Sequence, residues 1–182
     1  MDKTDIQKIS ADKELMEALG TVTLTWSLLN ATIQATVWRF LNLDSTRGKI
    51  LTANLSTGQL IQLLETVFDF LSKSFTKDEK QLHNRFFSGL NELNAMRNDI
   101  MHGDWEPILH DGKLMGMKAL RSMARGELKT RERDWNVERL TAFSGHIKET
   151  SEMLVTILEE LESQISAAES SSISDESVKP QK

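Results

Sequence analysis

Apolar residues recur at helical spacing in four long stretches of the chain. They return every three or four positions through residues 15–40, 60–75, 82–100 and 140–165. Such a period places the apolar side chains along one face of a helix, which can then pack against other helices. The sequence therefore predicts an all-α fold, an antiparallel bundle of four long helices.

Polar residues that commonly cap helices precede three of these stretches. Ser56 with Gln59, and Thr76 with Glu79, have the spacing of a capping box, in which each residue satisfies a backbone N–H of the other. Asn136 stands where its side chain can accept a hydrogen bond from the first turn of the fourth helix. We therefore expect helix starts at these three positions.

Two regions interrupt the helical period. Glycine and polar residues around Arg47–Gly48 and Thr52–Asn54 predict a break after the first helix. Between the third and fourth helices, Asp111–Gly112 is a strong signal for a two-residue hairpin turn. We expect a small β-hairpin insert there, spanning about residues 105–134.

Composition narrows the class of protein. A chain of 182 residues fits one domain, here residues 1–166, followed by a Ser-rich acidic tail over residues 167–182 that is too poor in apolar residues to fold. Gly and Pro together number only 11, which argues against an all-β fold. The absence of Cys excludes disulfides, thiolate nucleophiles and Cys-ligated metals.

The same sequence favours a cytoplasmic protein without membrane contact. The first residues show no basic segment followed by an apolar run, so we expect no signal peptide. The uncharged stretch from Leu19 to Trp38 has the length of a membrane span but is rich in Thr and Ser. It is better interpreted as a helix buried by protein on most sides.

Charge is unevenly distributed. The net charge of −5 arises within residues 146–182, which hold three Lys and eight Asp or Glu; the rest of the chain is neutral. Residues 113–133 contain seven Lys or Arg and two Glu. A solvated surface is the common outcome for such a run, whereas beside an active site it would collect phosphates.

The end of the third helix carries the candidate chemistry. Arg97 falls within the apolar stripe of this helix, where an unpaired guanidinium is costly to bury. It needs a carboxylate such as Glu65 or Asp69, a bound anion, or a position beside a wet cleft. His102 could simply stabilise the helix end, where Gly103 would be the usual terminating residue.

The segment Arg97-Asn98-Asp99-Ile100-Met101-His102 resembles the Arg-x4-His signature of HEPN domains, including the common Asn after the Arg. The layout of helices over about residues 10–166, with the motif late in the third helix, is also similar. The resemblance implies a metal-independent endoribonuclease without cofactor that works as a dimer, often a toxin or antiviral defence component with an antitoxin partner. It implies that Arg97 and His102 are catalytic and that Asn98 supports them; Asn94 joins the site on helix geometry alone.

The chemistry of RNA cleavage agrees with these roles. Histidine titrates near neutral pH and can transfer protons, while arginine binds phosphate and stays charged. One such histidine per chain leaves either the general acid or the general base missing. A two-fold interface that joins two Arg/His sets would supply both, so we expect a homodimer.

Other interpretations stay open. Some HEPN toxins carry a Tyr two residues after the His, where a partner nucleotidyltransferase modifies it; Asp104 stands there instead, so that regulation is not expected. A non-catalytic helical interaction or RNA-binding module with the same fold is the main alternative. A metal cluster of His102, Asp104, His110 and Asp111 is less favoured than ordinary polar residues at a helix end and a hairpin turn.

Overall fold

The described part of the chain contains five helices and one small sheet. The computed structural model describes residues 12–71, 76–124 and 128–176. In chain order the elements are α1 (Lys13–Phe40), α2 (Ser45–Thr52), α3 (Thr57–Leu71), α4 (Lys77–His102), β1 (Asp104–His110), β2 (Lys113–Ala124), β3 (Leu128–Trp135) and α5 (Val137–Glu176). The prediction of a mostly helical fold with a small antiparallel β element is confirmed, whereas the simple bundle of four long helices is not.

The additional helix lies where the sequence predicted a break. Asp44 begins α2 because its carboxylate accepts hydrogen bonds from the backbone N–H groups of Thr46 and Arg47 at 2.9 and 3.0 Å. Gly48 therefore lies inside a helix and is buried against Trp38. The prediction of a break at Arg47–Gly48 is wrong because this glycine provides space for an indole ring rather than ending a helix.

The three predicted caps are present. The N–H of Ser56 donates to the side chain of Gln59 at 2.9 Å, and the N–H of Thr76 donates to that of Glu79 at 2.7 Å. Each hydroxyl accepts a bond in return, which completes both capping boxes. Asn136 accepts a 2.8 Å bond from the backbone N–H three residues later. These helix starts are thus determined by residues close together in the sequence.

Helices α1 and α5 pack along each other and supply much of the core. The Thr32 and Ser151 hydroxyls lie 3.3 Å apart across this contact, and Arg39 forms an ion pair with Glu162. The buried residues of α1 recur every three or four positions: Leu15, Ala18, Val22, Trp26, Leu29, Ile33, Thr36 and Val37. The apolar stripe of α1 therefore faces its helical neighbours, as its period predicts.

The β element has three antiparallel strands in the order β1-β2-β3: the expected hairpin is extended by a third strand, mostly within the charged stretch of residues 127–134 that the sequence offered for such an extension. Asp111 and Gly112 both have positive φ, 51° and 75°, as the two central residues of a type I′ turn require. Met117, Ala119 and Trp135 are buried on the inner face of the sheet. These buried residues make the sheet part of the core. The sheet lies beside α4, because β1 starts directly after this helix ends.

The last helix extends beyond the predicted end of the domain. Helix α5 continues to Glu176, ten residues into the segment for which the sequence predicts disorder. Ala and Glu in this segment are good helix formers and can prolong an existing helix without apolar contacts. Residues 177–182 lie outside the described part of the chain.

The uncharged stretch predicted to be a buried helix lies within α1. Several of its hydroxyls bond to carbonyls one turn earlier, for example Thr21 to Glu17 at 2.9 Å and Thr36 to Thr32 at 2.8 Å. Such bonds satisfy polar side chains within the helix itself. None of the described helices is long and apolar enough to cross a membrane.

We expect Gly48→Ala to destabilise the fold. A Cβ at this position would lie 2.4 Å from the Trp38 ring, and that ring is held by a 3.3 Å hydrogen bond from its Nε1 to the Thr52 hydroxyl. Overpacking of this kind costs about 1–3 kcal/mol and exceeds the helix-propensity gain of alanine. The control is Gly20→Ala in α1, where nothing lies within 4 Å. Urea denaturation should show a loss for Gly48→Ala and a small gain for the control; equal effects would contradict the packing argument.

Candidate functional site

The candidate site lies at the C-terminal end of α4, where Arg97, Asn98 and His102 contact one another. One guanidinium nitrogen, Nη1 of Arg97, donates to the Asn98 side-chain oxygen at 3.1 Å and lies 3.5 Å from Nε2 of His102. Among the described residues, no carboxylate forms an ion pair with Arg97. The predicted pairing with Glu65 or Asp69 is not found; Asp69 instead lies 3.9 Å from Nε2 of His83.

The guanidinium of Arg97 lies above an aromatic ring of α1. Its Cζ atom is 6.0 Å from the centroid of the Trp26 ring, within range for a cation–π contact, and Trp26 is buried. This apolar floor removes water from one side of the cation, and the resulting desolvation lowers the pKa of Arg97 from its ordinary value. Arg97 is therefore a partly desolvated cation with no paired anion in the described part of the chain.

The imidazole of His102 lies directly beside the guanidinium. Because a guanidinium only donates hydrogen bonds, Nε2 of His102 is the acceptor wherever these two groups are hydrogen-bonded. The side chain of His102 is exposed, so the imidazole is open to a bound molecule at this end of α4.

Three polar side chains of α4 and α1 near the candidate site have a buried atom without a hydrogen-bond partner among the described residues. Asn94 lies one turn before Arg97 on α4, and its Oδ1 is buried without a hydrogen-bond partner; the same holds for Nε1 of Trp26 and Oδ1 of Asn30 on α1. Asn94 also closely approaches α3, since its Nδ2 is 3.6 Å from where a Cβ of Gly58 would lie. Buried unpaired polar groups are uncommon, and they often mark functional positions.

The end of α4 is fixed by the residues that follow it. Gly103 ends the helix in an extended conformation, with φ −77° and ψ 151°, rather than in the left-handed form typical of glycine at helix ends. Glycine is needed because a Cβ would lie 2.5 Å from the Asp99 carbonyl oxygen and 3.2 Å from Ala119. The Trp105 indole also donates a 3.1 Å bond to the Ile100 carbonyl. These contacts position His102 on a rigid support.

Sequence reasoning missed Asp99, which lies inside the motif. Its side chain is only 1% exposed and is surrounded by guanidiniums of Arg133 at 3.0 Å, Arg131 at 3.5 Å and Arg121 at 3.7 Å. All three arginines come from the inner face of the sheet. The surplus of basic residues in this region was visible in the sequence, but its convergence on one carboxylate was not.

A groove between α4 and α5 does not include Arg97 or His102. It has a volume of about 890 Å³ and a largely apolar lining that includes Leu82, Phe86 and Met153. Leu82 and Met153 are more than half exposed. Glu92 and Glu149 also line this groove. It offers an apolar surface for a partner.

The residues of the less favoured metal interpretation do not form a cluster. His110 and Asp111 lie 3.5 Å apart at the exposed hairpin turn, but His102 and Asp104 do not join them. Within residues 12–71, 76–124 and 128–176, no group of three or more His, Asp or Glu side chains could hold a metal ion.

Comparisons with known proteins give no match for this chain: no protein-family model, no curated protein and no solved structure matches it. Interpretation of the site therefore depends on its own geometry.

Proposed function

We propose that this protein is a metal-independent endoribonuclease of HEPN type, with Arg97 and His102 as catalytic residues. The observation that carries the proposal is the 3.5 Å contact between Nη1 of Arg97 and Nε2 of His102, at a guanidinium without a paired carboxylate in the described chain. Such a cation can accept a phosphodiester, and the imidazole beside it can accept a proton.

The reaction follows from these two groups. Once Arg97 turns its N–H groups to the phosphate, Nε2 of His102 is free to take the proton from a ribose 2′-hydroxyl as the hydroxyl oxygen forms a bond to the adjacent phosphorus. The bond from phosphorus to the 5′-oxygen breaks, and that oxygen leaves with a proton from a general acid. Arg97 stabilises the negative charge that grows on the phosphoryl oxygens. The products are a 2′,3′-cyclic phosphate and a 5′-hydroxyl.

The supporting residues orient Arg97. Asn98 accepts a hydrogen bond from the same nitrogen that faces His102, so it fixes the direction of the guanidinium. Asn94 lies three residues before Arg97 on α4, so the two side chains are neighbours on the surface of the helix. Asn94 and Asn98 are therefore supporting residues that position Arg97, and neither transfers a proton.

The test is RNA cleavage by the purified full chain. We expect products ending in a 2′,3′-cyclic phosphate, because the 2′-oxygen is the nucleophile, and unchanged rates in the presence of a chelator, because Arg97 and His102 supply the charge and the proton transfer. Loss of cleavage with chelator and recovery with an added divalent ion would exclude this mechanism. A 2′-deoxy substitution at the cleaved position should prevent cleavage.

The proposal includes a homodimer in which two Arg97/His102 sets form one composite site. Each chain brings one histidine to the site, while cleavage needs both a base and an acid. The second histidine supplies the acid when two chains meet at the ends of their α4 helices. A role as a toxin or antiviral defence component in the cytoplasm, controlled by an antitoxin protein, would follow from such an activity.

Mixed dimers test the composite site. If wild-type and His102→Ala chains are co-expressed in equal amounts and pair at random, about one quarter of the dimers keep both histidines. Specific activity should then be about one quarter of that of the wild type, whereas independent sites would retain about one half. Light scattering on the same samples establishes that the chains are dimeric. Full activity from a monomer would contradict the proposed composite site.

The apolar groove between α4 and α5 favours a second candidate function, a non-catalytic helical interaction or RNA-binding module. Its exposed Leu82 and Met153 offer the kind of surface that an amphipathic partner helix covers. Apolar-to-polar changes at Leu82 and Met153 would weaken partner binding but not RNA cleavage. RNA binding without any cleavage would favour this second function.

A further inference from the structure

The inner face of the sheet changes from apolar to basic where it passes the end of α4. In β2 the inward positions are Met117, Ala119 and Arg121, and the residues opposite them in β3 are Trp135, Arg133 and Arg131. Met117, Ala119 and Trp135 are buried in the core. The three arginines therefore continue a core-facing surface and point at the helix rather than away from the protein.

The outer face of the same sheet is different, because its charges are paired. Lys118 lies opposite Asp134 in β3 and opposite Glu106 in β1. It also forms an ion pair with Glu132 at 3.5 Å. The positive charge predicted for this region is thus paired with carboxylates on the outer face of the sheet and concentrated on the inner face.

The three inward arginines exceed the negative charge available to them. Asp99 is the one carboxylate of the described residues that forms ion pairs with Arg121, Arg131 and Arg133. Two positive charges are left over, and Arg121 stands directly opposite Arg131, where like charges repel. Three guanidiniums carry about fifteen N–H donors, whereas one carboxylate accepts about four hydrogen bonds. The arrangement therefore leaves donors and charge for a second anion.

The surplus donors are within reach of solvent. The Asp99 side chain is 1% exposed, but those of Arg121, Arg133 and Arg131 are 27%, 32% and 40% exposed. Arg133 makes the shortest contact with Asp99, at 3.0 Å, and Arg131 donates a long hydrogen bond to it at 3.5 Å. Arg121, at 3.7 Å, approaches Asp99 without a hydrogen bond. Arg121, with the longest contact, and Arg131, with the greatest exposure, are therefore the two cations best placed to bind an external anion.

This cluster and the candidate active site share the last turns of α4. Asp99 lies one helical turn before His102, whereas Arg97, two residues before Asp99, faces a different side of the helix, towards Trp26. The sheet follows directly after Gly103 at the end of α4. A single-stranded RNA that is held by Arg97 and passes around this end of the helix can therefore place a further phosphate at the sheet arginines.

We propose that Arg121 and Arg131 form a second phosphate-binding site, which holds a backbone phosphodiester of the RNA other than the one that is cleaved. This site depends on the proposed ribonuclease function for its substrate class. It gives the three-stranded sheet a role in substrate binding, with Asp99 and Arg133 fixing the sheet against α4.

The test measures binding separately from cleavage. The full chain is titrated with a fluorescein-labelled 2′-O-methyl single-stranded RNA, whose blocked hydroxyls prevent cleavage, over a range of salt concentrations. Each phosphate contact on a single strand contributes about 0.7 to the slope of log affinity against log salt, so Arg121→Gln/Arg131→Gln should lower the slope by about 1.4 and weaken binding roughly tenfold or more at low salt. The control Lys118→Gln/Lys148→Gln removes the same charge from other surfaces and should change binding much less.

Two further measurements separate the possible causes. Arg121→Lys/Arg131→Lys keeps the charge and should keep most of the affinity, and thermal melts establish that each variant is folded. If the Gln variant is folded and binds RNA like the wild type or like the control, the proposal is wrong. If inorganic phosphate at constant ionic strength raises the melting temperature of the wild type but not of the Gln variant, while RNA affinity is the same for both, the site takes free phosphate and the RNA assignment is wrong.

Failure of this proposal is distinguishable from failure of the proposed function. Cleavage that needs His102 but shows an unchanged KM in Arg121→Gln/Arg131→Gln would leave the ribonuclease proposal intact and overturn the second site. RNA binding that depends on the two arginines, without cleavage of any unmodified RNA, would support the second site and overturn the ribonuclease proposal.

Discussion

His102→Ala is expected to reduce RNA cleavage by about 10²–10⁴-fold, the usual cost of removing a general acid or base. The exposed imidazole presents the lone pair of Nε2 beside Arg97, so its loss removes the proton acceptor without opening a cavity. Helical circular dichroism and the melting temperature should stay at wild-type values. The measurement is the single-turnover rate with saturating enzyme, which separates chemistry from binding.

Substitutions at Arg97 and at Asn98 should reduce the rate of RNA cleavage to different extents. Arg97→Ala should cost about as much as His102→Ala, because the guanidinium stabilises charge that develops only in the transition state. Arg97→Lys should restore little, since a lysine ammonium lacks the planar fork that binds phosphate through two hydrogen bonds. Asn98→Ala should be affected less, because Asn98 only orients Arg97. The matched control is His110→Ala, an exposed histidine at the hairpin turn, which should retain full activity.

Two outcomes would contradict the assignment of His102 as the proton acceptor. Cleavage that survives His102→Ala at near wild-type rate would show that another group takes the proton. Equal loss in His110→Ala would indicate a general effect on folding or on RNA binding rather than on chemistry.

Local signals in the sequence predicted local structure well. Ser56, Thr76 and Asn136 were recognised as helix starts because each cap depends on a partner three residues away. The Asp111–Gly112 turn was recognised for the same reason, since two adjacent residues supply both positive φ values. The period of α1 likewise gave its buried face.

Signals that depend on distant partners were misinterpreted or missed. Gly48 resembles a helix breaker, and only its contact with Trp38, ten residues earlier, explains why it lies inside α2. Gly103 resembles a left-handed helix end, yet a glycine is required there by the Asp99 carbonyl oxygen and, less closely, by Ala119 on a strand that follows later. In both cases the sequence shows the glycine but not the atoms that approach it.

The same distinction between local and distant signals applies to the candidate site. Arg97 and His102 could be paired from the sequence because residues 97–102 resemble the Arg-x4-His signature; helix geometry alone favours pairs three or four positions apart. Asp99 could not be paired with Arg121, Arg131 and Arg133, because these arginines are aligned by the pairing register of β2 with β3, which the sequence does not show. An alternation of arginines at positions 131 and 133 was the one available signal, and it does not identify the partner.

Asp99→Asn is expected to lower the free energy of unfolding by about 3 kcal/mol, near the lower end of the range for breaking a buried ion pair, because the three guanidiniums keep part of their hydration. The substitution conserves shape and removes the charge that neutralises Arg121, Arg131 and Arg133. Urea denaturation with an unchanged m-value measures the loss. The control Asp104→Asn removes the same charge from an exposed residue and should change stability by no more than about 0.5 kcal/mol.

A double-mutant cycle attributes this loss to the contact with Arg133. Arg133→Gln alone leaves Asp99 buried with weaker partners, so it should also destabilise the fold. The combined variant Asp99→Asn/Arg133→Gln removes both charges, so neither is left without its partner. Its loss in the free energy of unfolding should be smaller than the sum of the two single losses by about 1 kcal/mol or more. Strict additivity would mean that Asp99 is stabilised by the backbone around it rather than by the sheet. The three arginines of the inner face would then not be needed to stabilise the fold, and all three would be available to a bound phosphate.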